Sequence, residues 1–270
     1  MKLELNSTKE SGPAGRTRPP IVILHGLFGS SRNWTSVAKL LADSTDVYAL
    51  DQRNHGDSPH ADGHSLKDLR EDLSHWIADQ RFSRPPIIIG HSMGGMAAMA
   101  FALEYPEALS GLVVVDIAPR EYPPHHSKEF EALSIDVSQY SSRSDIDARM
   151  QAIVSDRTVR QFLQMNLERK DEGYAWKVNV PALKNATHTS GLENAGAIAG
   201  GNQGQFAGPT LFLRGGDSDY IRDEDFGEIE RLFAKSEIRT IAGHGHWLHY
   251  SAQDEFVAIV REFLAAPELS

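Results

Sequence analysis

Short runs of apolar, mostly β-branched residues recur along the chain, and each run ends in glycine or a polar turn. Runs this short and continuous are typical of strands buried on both faces, as in a parallel sheet covered by helices. The predicted strands lie in PIVILHG (20–26), DVYALDQ (46–52), PPIIIGH (85–91), GLVVVDIAP (111–119), PTLFLRGG (209–216) and EIRTIAGHG (237–245).

Segments with helical spacing of apolar residues separate most of these strands. They are NWTSVAKLLAD (33–43), SLKDLREDLSHWIADQ (65–80), MGGMAAMAFALEYP (93–106), FGEIERLFAK (226–235) and AQDEFVAIVREFLAA (252–266). Repeated alternation of strand and helix predicts an α/β fold with a mostly parallel sheet flanked by helices.

The alternation breaks after Pro119 and resumes near Pro209. The intervening chain holds a helix start, SRSDIDARMQAIV (142–154), a Pro and His cluster, YPPHHS (122–127), and a Gly-rich return, AGAIAGGNQGQFAG (195–208). We interpret residues 120–206 as a mostly helical cap inserted over the carboxyl ends of the strands. Residues 1–119 and 207–270 then form the core domain.

Composition excludes several classes of protein. Hydrophobic residues make up 40% and charged residues 24% of the 270, which is typical of globular proteins and not of disordered ones. A formal net charge of −10 argues against binding to nucleic acid. The sequence has no cysteine, which excludes disulfides, thiolate nucleophiles and cysteine zinc sites. Since we find neither a signal-peptide core nor an apolar run of about 18 residues, we expect a cytoplasmic protein without a membrane span.

Ser92 is the candidate nucleophile, within the pattern Gly-x-Ser-x-Gly at residues 90–94. A predicted strand precedes it and a predicted helix follows, as in a nucleophile elbow. At so sharp a turn, side chains at Gly90 and Gly94 would collide with neighbouring backbone. Phosphate binding is the alternative for a Gly-rich turn here, but neither the dinucleotide fingerprint nor a phosphate-loop lysine is present.

A serine hydroxyl needs a base to take its proton and an acid to orient that base. In an elbow fold the chain order is serine, acid, histidine. The segment AGHGHWLHY (242–250) offers three histidines, and we choose His246, because Gly245 lets the loop bend back toward the serine. His244 and His249 are expected to be surface or packing residues.

Two aspartates qualify as the orienting acid. Asp116 ends the strand LVVVD, and Asp219 lies in RGGDSDY after the next strand of the sheet. Both are expected at the carboxyl edge of the sheet, so the residues alone leave the choice open. Adjacent His125 and His126 lack further ligands at a suitable spacing, and we therefore predict no metal site.

Acyl transfer also needs hydrogen-bond donors for the oxyanion. One is normally the backbone N–H after the nucleophile, which is Met93 here, and the other comes from the loop after an early strand, for which we choose Leu27. His25 beside it is expected to be structural. The candidate walls of the substrate pocket are Phe28, Trp34, Tyr122 and Trp247.

The motifs HGLFGS (25–30), DQRNHGDSP (51–59), GHSMGG (90–95), VVVDIAP (113–119), RGGDSDYI (214–221) and GHW (245–247) follow the order seen in the α/β-hydrolase fold superfamily, which the chain resembles. RNHGDSP and VVVDIAP are similar to the YbfF-type bacterial serine esterases. The resemblance implies a serine esterase without metal or organic cofactor, acting mainly on short acyl esters. It favours Asp116 over Asp219 as the acid, and it implies that Asp51, Arg53 and His55 brace the loop beneath the site.

The expected function is therefore hydrolysis of small-molecule carboxylic esters through an acyl-enzyme. The same triad could instead support a C–C bond hydrolase, a perhydrolase or a thioesterase. A receptor of the same fold with little turnover is the alternative from another class. The sequence does not decide between a monomer and a homodimer.

Overall fold

The computed structural model describes residues 2–14, 18–123, 126–189 and 204–269. The strands in these ranges are β1 (Ser7–Glu10), β2 (Ile21–Leu24), β3 (Val47–Leu50), β4 (Ile87–His91), β5 (Gly111–Val115), β6 (Leu167–Arg169), β7 (Tyr174–Trp176), β8 (Phe206–Gly215) and β9 (Phe233–Ile241). Among them, seven form one sheet in the order β1-β3-β2-β4-β5-β8-β9. All neighbours in this sheet are parallel except β1, which runs antiparallel to β3.

Strands β2, β4 and β5 are buried along their whole length, as their continuous apolar sequences predict. The predicted α/β fold with a mostly parallel sheet is therefore confirmed. Strand β1 was not predicted, because its sequence Ser-Thr-Lys-Glu is polar and partly exposed at the edge of the sheet.

The helices of the described residues cover both faces of the sheet. They are α1 (Thr35–Leu41), α2 (Leu66–Gln80), α3 (Met93–Glu104), α4 (Ser127–Leu133), α5 (Arg143–Gln151), α6 (Arg157–Leu163), α7 (Val180–Thr189), α8 (Phe226–Leu232), α9 (Leu248–Ser251) and α10 (Gln253–Leu264). Helices α2 and α3 pack on one face and α1 and α10 on the other, each over its own apolar cluster. None of these helices is both long enough and apolar enough to traverse a lipid bilayer.

The predicted helix over 226–235 is too long. Helix α8 ends at Leu232 and β9 begins at Phe233, with neither glycine nor proline between them. Residues 233–235 join the sheet because β9 pairs with β8 from its first residue, Phe233, opposite Phe206. Pairing with a neighbouring strand here overrides the helical spacing of the sequence.

Between β5 and β8, residues 126–189 fold into α4 to α7 and the antiparallel hairpin β6–β7. We call residues 120–189 the inserted segment. Within it, Arg160 of α6 binds Asp147 of α5 through its guanidinium, with Nε 2.9 Å from Oδ1. Residues 195–203 of the Gly-rich return lie outside the described residues, as does His125.

Candidate active site

Ser92 occupies the turn between β4 and α3 with φ 51° and ψ −119°, a left-handed conformation that non-glycine residues rarely adopt. Its backbone N–H donates to the Val115 carbonyl at 3.1 Å, so the turn is fastened to the neighbouring strand. A Cβ atom at Gly90 would lie 2.4 Å from the Gly94 carbonyl oxygen, and one at Gly94 would lie 2.4 Å from that of Leu24. These positions therefore need glycine for lack of space, as predicted.

His246 lies in the loop after β9 and hydrogen-bonds Asp116, with Nδ1 2.8 Å from Oδ2. Asp116 follows β5 and is completely buried. Its other oxygen, Oδ1, accepts from the Gly215 N–H at 3.0 Å, and Ser218 Oγ donates to Oδ2. Because a carboxylate only accepts, the His246 proton is on Nδ1, which leaves Nε2 free to accept a proton.

Of the two predicted acids, the structure brings only Asp116 to the histidine. Asp219 is exposed, and its backbone carbonyl accepts from Arg120 Nη2 at 2.9 Å. The loop that contains Asp219 reaches the site through Ser218, whose hydroxyl binds the Asp116 carboxylate. Sequence reasoning missed Ser218, although it sits in the same RGGDSDY motif.

Two further residues that the sequence did not single out hold His246 in place. The Tyr220 ring stacks on the imidazole, with centroids 3.9 Å apart and planes at 18°. His91 hydrogen-bonds the His246 backbone, its Nε2 donating to the carbonyl oxygen at 2.9 Å. His91 precedes the predicted nucleophile Ser92, and Tyr220 follows the candidate acid Asp219. This proximity in the sequence was the one indication that either residue belongs to the site.

Ser92 and His246 line the same cavity, whose volume is about 250 Å³. We call it the serine cavity. Among the predicted wall residues, Phe28, Trp34 and Trp247 line it, as do Leu27, Tyr220, Phe162 and His126. Tyr122 is not among its lining residues. Its hydroxyl donates to the Tyr220 carbonyl at 2.5 Å and accepts from the Ala118 N–H at 2.8 Å, so it supports the wall from behind.

The Leu27 and Met93 amides donate no hydrogen bond to any described residue. The backbone of the next residue, Phe28, is held through both its N–H and its carbonyl group. The Phe28 N–H donates to His55 Nε2 at 3.2 Å, and the Phe28 carbonyl accepts from Asn166 Nδ2 at 2.8 Å. These bonds keep Phe28 in a left-handed conformation with φ 63°. Asn166 belongs to the inserted segment, so that segment is fastened to the loop over the serine.

The motif at residues 51–59 supports this loop from below. Asp51 Oδ1 accepts from the Ser31 N–H at 2.7 Å, and Oδ2 accepts from the Asp57 N–H at 2.9 Å. Burial raises the pKa of the Asp51 carboxyl, but hydrogen bonds from these two backbone donors and from the Asn6 side chain act against burial, and the net pKa is lowered. Arg53 binds Asp72 with two hydrogen bonds of 2.6 and 2.8 Å.

Several histidines around the site are buried and neutral. Desolvation, which penalises the charged imidazole, lowers the pKa of His25 and holds the pKa of His55 and His91 well below its usual value. The same cause lowers the pKa of His249 to about 3. The His249 ring stacks on Trp34, with centroids 4.3 Å apart and planes at 6°.

His25 and His244 also form local hydrogen bonds. The Gln52 N–H donates to His25 Nε2 at 3.0 Å, and His25 Nδ1 donates to the Gly26 carbonyl at 2.8 Å. His244 Nδ1 lies 2.9 Å from Ser251 Oγ. Among the residues that the structure describes, no three His, Asp or Glu side chains are grouped as metal ligands would be.

The sequence profile of the alpha/beta hydrolase fold family matches residues 19–253. The chain belongs to this family. It is 37% identical over 258 residues to the sn-1-specific diacylglycerol lipase ABHD11 of Mus musculus, covering 92% of this chain and 82% of the relative. It is 30% identical over 265 residues to esterase YbfF of Escherichia coli, covering 97% of this chain and 99% of the relative.

Among solved structures, a marine microorganism esterase superposes with a TM-score of 0.89 at 38% identity. The superposition covers 97% of this chain and 100% of that one. These relatives are esterases and lipases, enzymes that hydrolyse carboxylic esters. The chain is therefore an esterase- or lipase-like α/β-hydrolase.

Proposed function

We propose that this α/β-hydrolase cleaves carboxylic esters through an acyl-enzyme on Ser92, with His246 as the general base and Asp116 as its orienting acid. The observation that carries the proposal is the 2.8 Å hydrogen bond between His246 Nδ1 and the buried Asp116 carboxylate, with His246 and Ser92 lining one cavity. A buried carboxylate that fixes the imidazole tautomer and stabilises the imidazolium is the arrangement that activates a serine hydroxyl.

The reaction proceeds in two halves. Ser92 Oγ attacks the ester carbonyl carbon while its proton passes to His246 Nε2, and the tetrahedral oxyanion is bound by the Leu27 and Met93 N–H groups. The C–O bond to the alcohol then breaks, and the alcohol oxygen takes the proton from Nε2. Water next attacks the acyl carbon and gives a proton to Nε2. The bond between the acyl carbon and Ser92 Oγ then breaks, Nε2 returns the proton to Oγ, and the carboxylic acid leaves.

The cavity supports a small acyl group as the preferred substrate. Its volume of about 250 Å³ is below the roughly 300–1,000 Å³ of pockets that hold drug-sized ligands. Phe28 and Trp34 are buried in its wall, so neither ring can leave without opening the core. We therefore expect p-nitrophenyl acetate and butyrate to be turned over faster than esters of long acids.

The decisive experiment compares the wild type with Ser92→Ala on this ester series, together with a fluorophosphonate label. We expect Ser92→Ala to lose at least about 10³-fold in kcat and to take no label, because the attacking oxygen is gone. Ester turnover by Ser92→Ala at the wild-type rate would overturn the proposal.

The acid is tested by comparing Asp116→Asn with Asp219→Asn. Asp116→Asn should reduce kcat by about 10⁴-fold, because the amide no longer fixes the productive imidazole tautomer. Asp219→Asn is its matched control and should keep wild-type turnover, since the Asp219 side chain is exposed. The opposite pattern would assign the acid to Asp219.

A further inference from the structure

A second cavity of about 260 Å³ adjoins the serine cavity. Four side chains face both cavities: Asn33, Phe162, Trp247 and His249. The second cavity is completed by Thr158, Gln161, Met165 and Tyr250. The second cavity therefore lies between helix α6 of the inserted segment and the loop that carries His246.

Side chains that line both cavities separate one cavity from the other. They include the rings of Phe162 and Trp247, whose centroids are 5.3 Å apart. Both rings are only half-buried, so neither is locked by the core. A substrate that fills both cavities must therefore pass beside these two rings.

The lining of the second cavity is suited to an uncharged, apolar group. The described residues that form it include no Asp, Glu, Lys or Arg. Met165 and Tyr250 are 42% and 74% exposed, and they are the large hydrophobic residues that the described part of the chain leaves exposed. Both line this cavity. Exposed apolar side chains gathered at one opening are typical of a binding site for an apolar ligand.

The chemistry of the triad indicates which half of an ester lies on this side. The alcohol oxygen must reach His246 Nε2 to take its proton, whereas the carbonyl oxygen must face the Leu27 and Met93 amides. Trp247 and His249, which follow His246 in the chain, form part of the second cavity. Because these two residues line both cavities, the second cavity lies on the side of the serine cavity that the His246 loop forms, which is the side that the alcohol oxygen must approach.

We propose that the second cavity binds an extended apolar alcohol group of the ester whose acyl half occupies the serine cavity. This inference rests on the proposed function, because the scissile ester must lie at Ser92. The substrates are then esters of a short acid with a long, uncharged alcohol. A methylene buried from water contributes about fourfold to kcat/KM, so two buried methylenes contribute about fifteenfold.

The test measures kcat/KM on alkyl acetates from ethyl to octyl and on p-nitrophenyl esters from acetate to octanoate. The variant Gln161→Trp places a large ring in the second cavity. Gln151→Trp is its matched control, since Gln151 is also an exposed glutamine in a helix of the inserted segment, and it lines neither cavity.

We expect wild-type kcat/KM to rise along the alkyl acetates. Gln161→Trp should lower the octyl-to-ethyl ratio of kcat/KM by about fifteenfold, the contribution of two buried methylenes. Gln151→Trp should keep the wild-type ratio. In a second measurement, octan-1-ol should inhibit p-nitrophenyl acetate hydrolysis by the wild type more strongly than butan-1-ol does, and Gln161→Trp should remove this difference.

Three results would overturn the inference. In the first, ethyl acetate is hydrolysed but kcat/KM does not rise with alcohol length. In the second, Gln161→Trp leaves the octyl-to-ethyl ratio unchanged. In the third, Gln161→Trp alters the p-nitrophenyl acyl series instead, which would assign the cavity to the acid half. Failure of the proposed function would give a different result, because hydrolysis of the esters in both series would then be unaffected by Ser92→Ala.

Discussion

Replacing Asn166 by leucine tests whether the inserted segment holds the loop over the serine. Asn166 is 3% exposed, and its Nδ2 donates to the Phe28 carbonyl at 2.8 Å and to the Leu163 carbonyl at 3.2 Å. Leucine has a similar size but cannot donate. A buried acceptor left without its donor costs about 1–3 kcal/mol, so we expect the free energy of unfolding to fall by about that amount.

The same substitution should slow catalysis. Without the bond from Asn166 to the Phe28 carbonyl, the neighbouring Leu27 amide should be misaligned. Complete loss of an oxyanion donor lowers kcat by about 10²–10³-fold, so we expect misalignment to lower kcat less, by about tenfold, with KM little changed. Urea unfolding gives the stability, and p-nitrophenyl acetate at saturation gives kcat. Gln139→Leu is the control, because its amide also donates to a backbone carbonyl, that of Asp136, but is exposed. If Asn166→Leu matched this control in both stability and kcat, the bond to Phe28 would not position the loop.

Three further outcomes follow from the structure. Because burial lowers the pKa of His64 and His249 to about 3, the unfolded chain binds more protons below pH 6.5, and stability falls as the pH falls. At pH 5 each of these two histidines should lower the free energy of unfolding by about 2 kcal/mol relative to pH 7.5, as measured by urea unfolding. Tyr220→Ala should lower kcat/KM by about tenfold, because the ring that orients His246 is lost. Gly94→Ala puts a methyl group 2.4 Å from a backbone carbonyl oxygen and should destabilise the fold by about 3 kcal/mol or more, measured as a shift in the urea midpoint.

Each of these has a matched comparison. His249→Phe should reduce the pH dependence of the free energy of unfolding by about 2 kcal/mol, and an unchanged dependence in this variant would contradict the reasoning. Tyr220→Phe keeps the ring, and activity equal to that of Tyr220→Ala would show that stacking is unimportant. Gly227→Ala in helix α8 has open space around it and should stabilise slightly, by about 0.5–1 kcal/mol. Equal stability of the two alanine variants would refute the steric argument.

Local patterns were sufficient to predict the sheet and the turn at Ser92. Buried parallel strands need continuous apolar runs, and the elbow needs glycine where backbones approach within contact distance, so both leave a direct trace in the sequence. The edge strand β1 leaves no such trace in the sequence, because its residues are polar and form a strand only through pairing with β3. The boundary between α8 and β9 was misplaced for the same reason.

The candidate site was predictable only as far as its motifs extend. Asp116 and Asp219 both follow strands of the same sheet, and only the three-dimensional path of their loops separates a buried carboxylate from an exposed one. The role of Asn166 depends on how the inserted segment returns to the core, which no local pattern encodes. Tyr220 could have been considered as an aromatic residue beside a candidate acid.

The parallel order of the sheet has a consequence for how activity is acquired during folding. Ser92 and Asp116 lie at the ends of neighbouring strands, but His246 arrives only after β8 has paired with β5 across the inserted segment and β9 has paired with β8. Such long-range pairing forms slowly, since a long loop must close before its contacts can form. Regain of esterase activity after dilution from urea should thus lag behind the recovery of helical signal, which makes turnover a stringent reporter of completed folding.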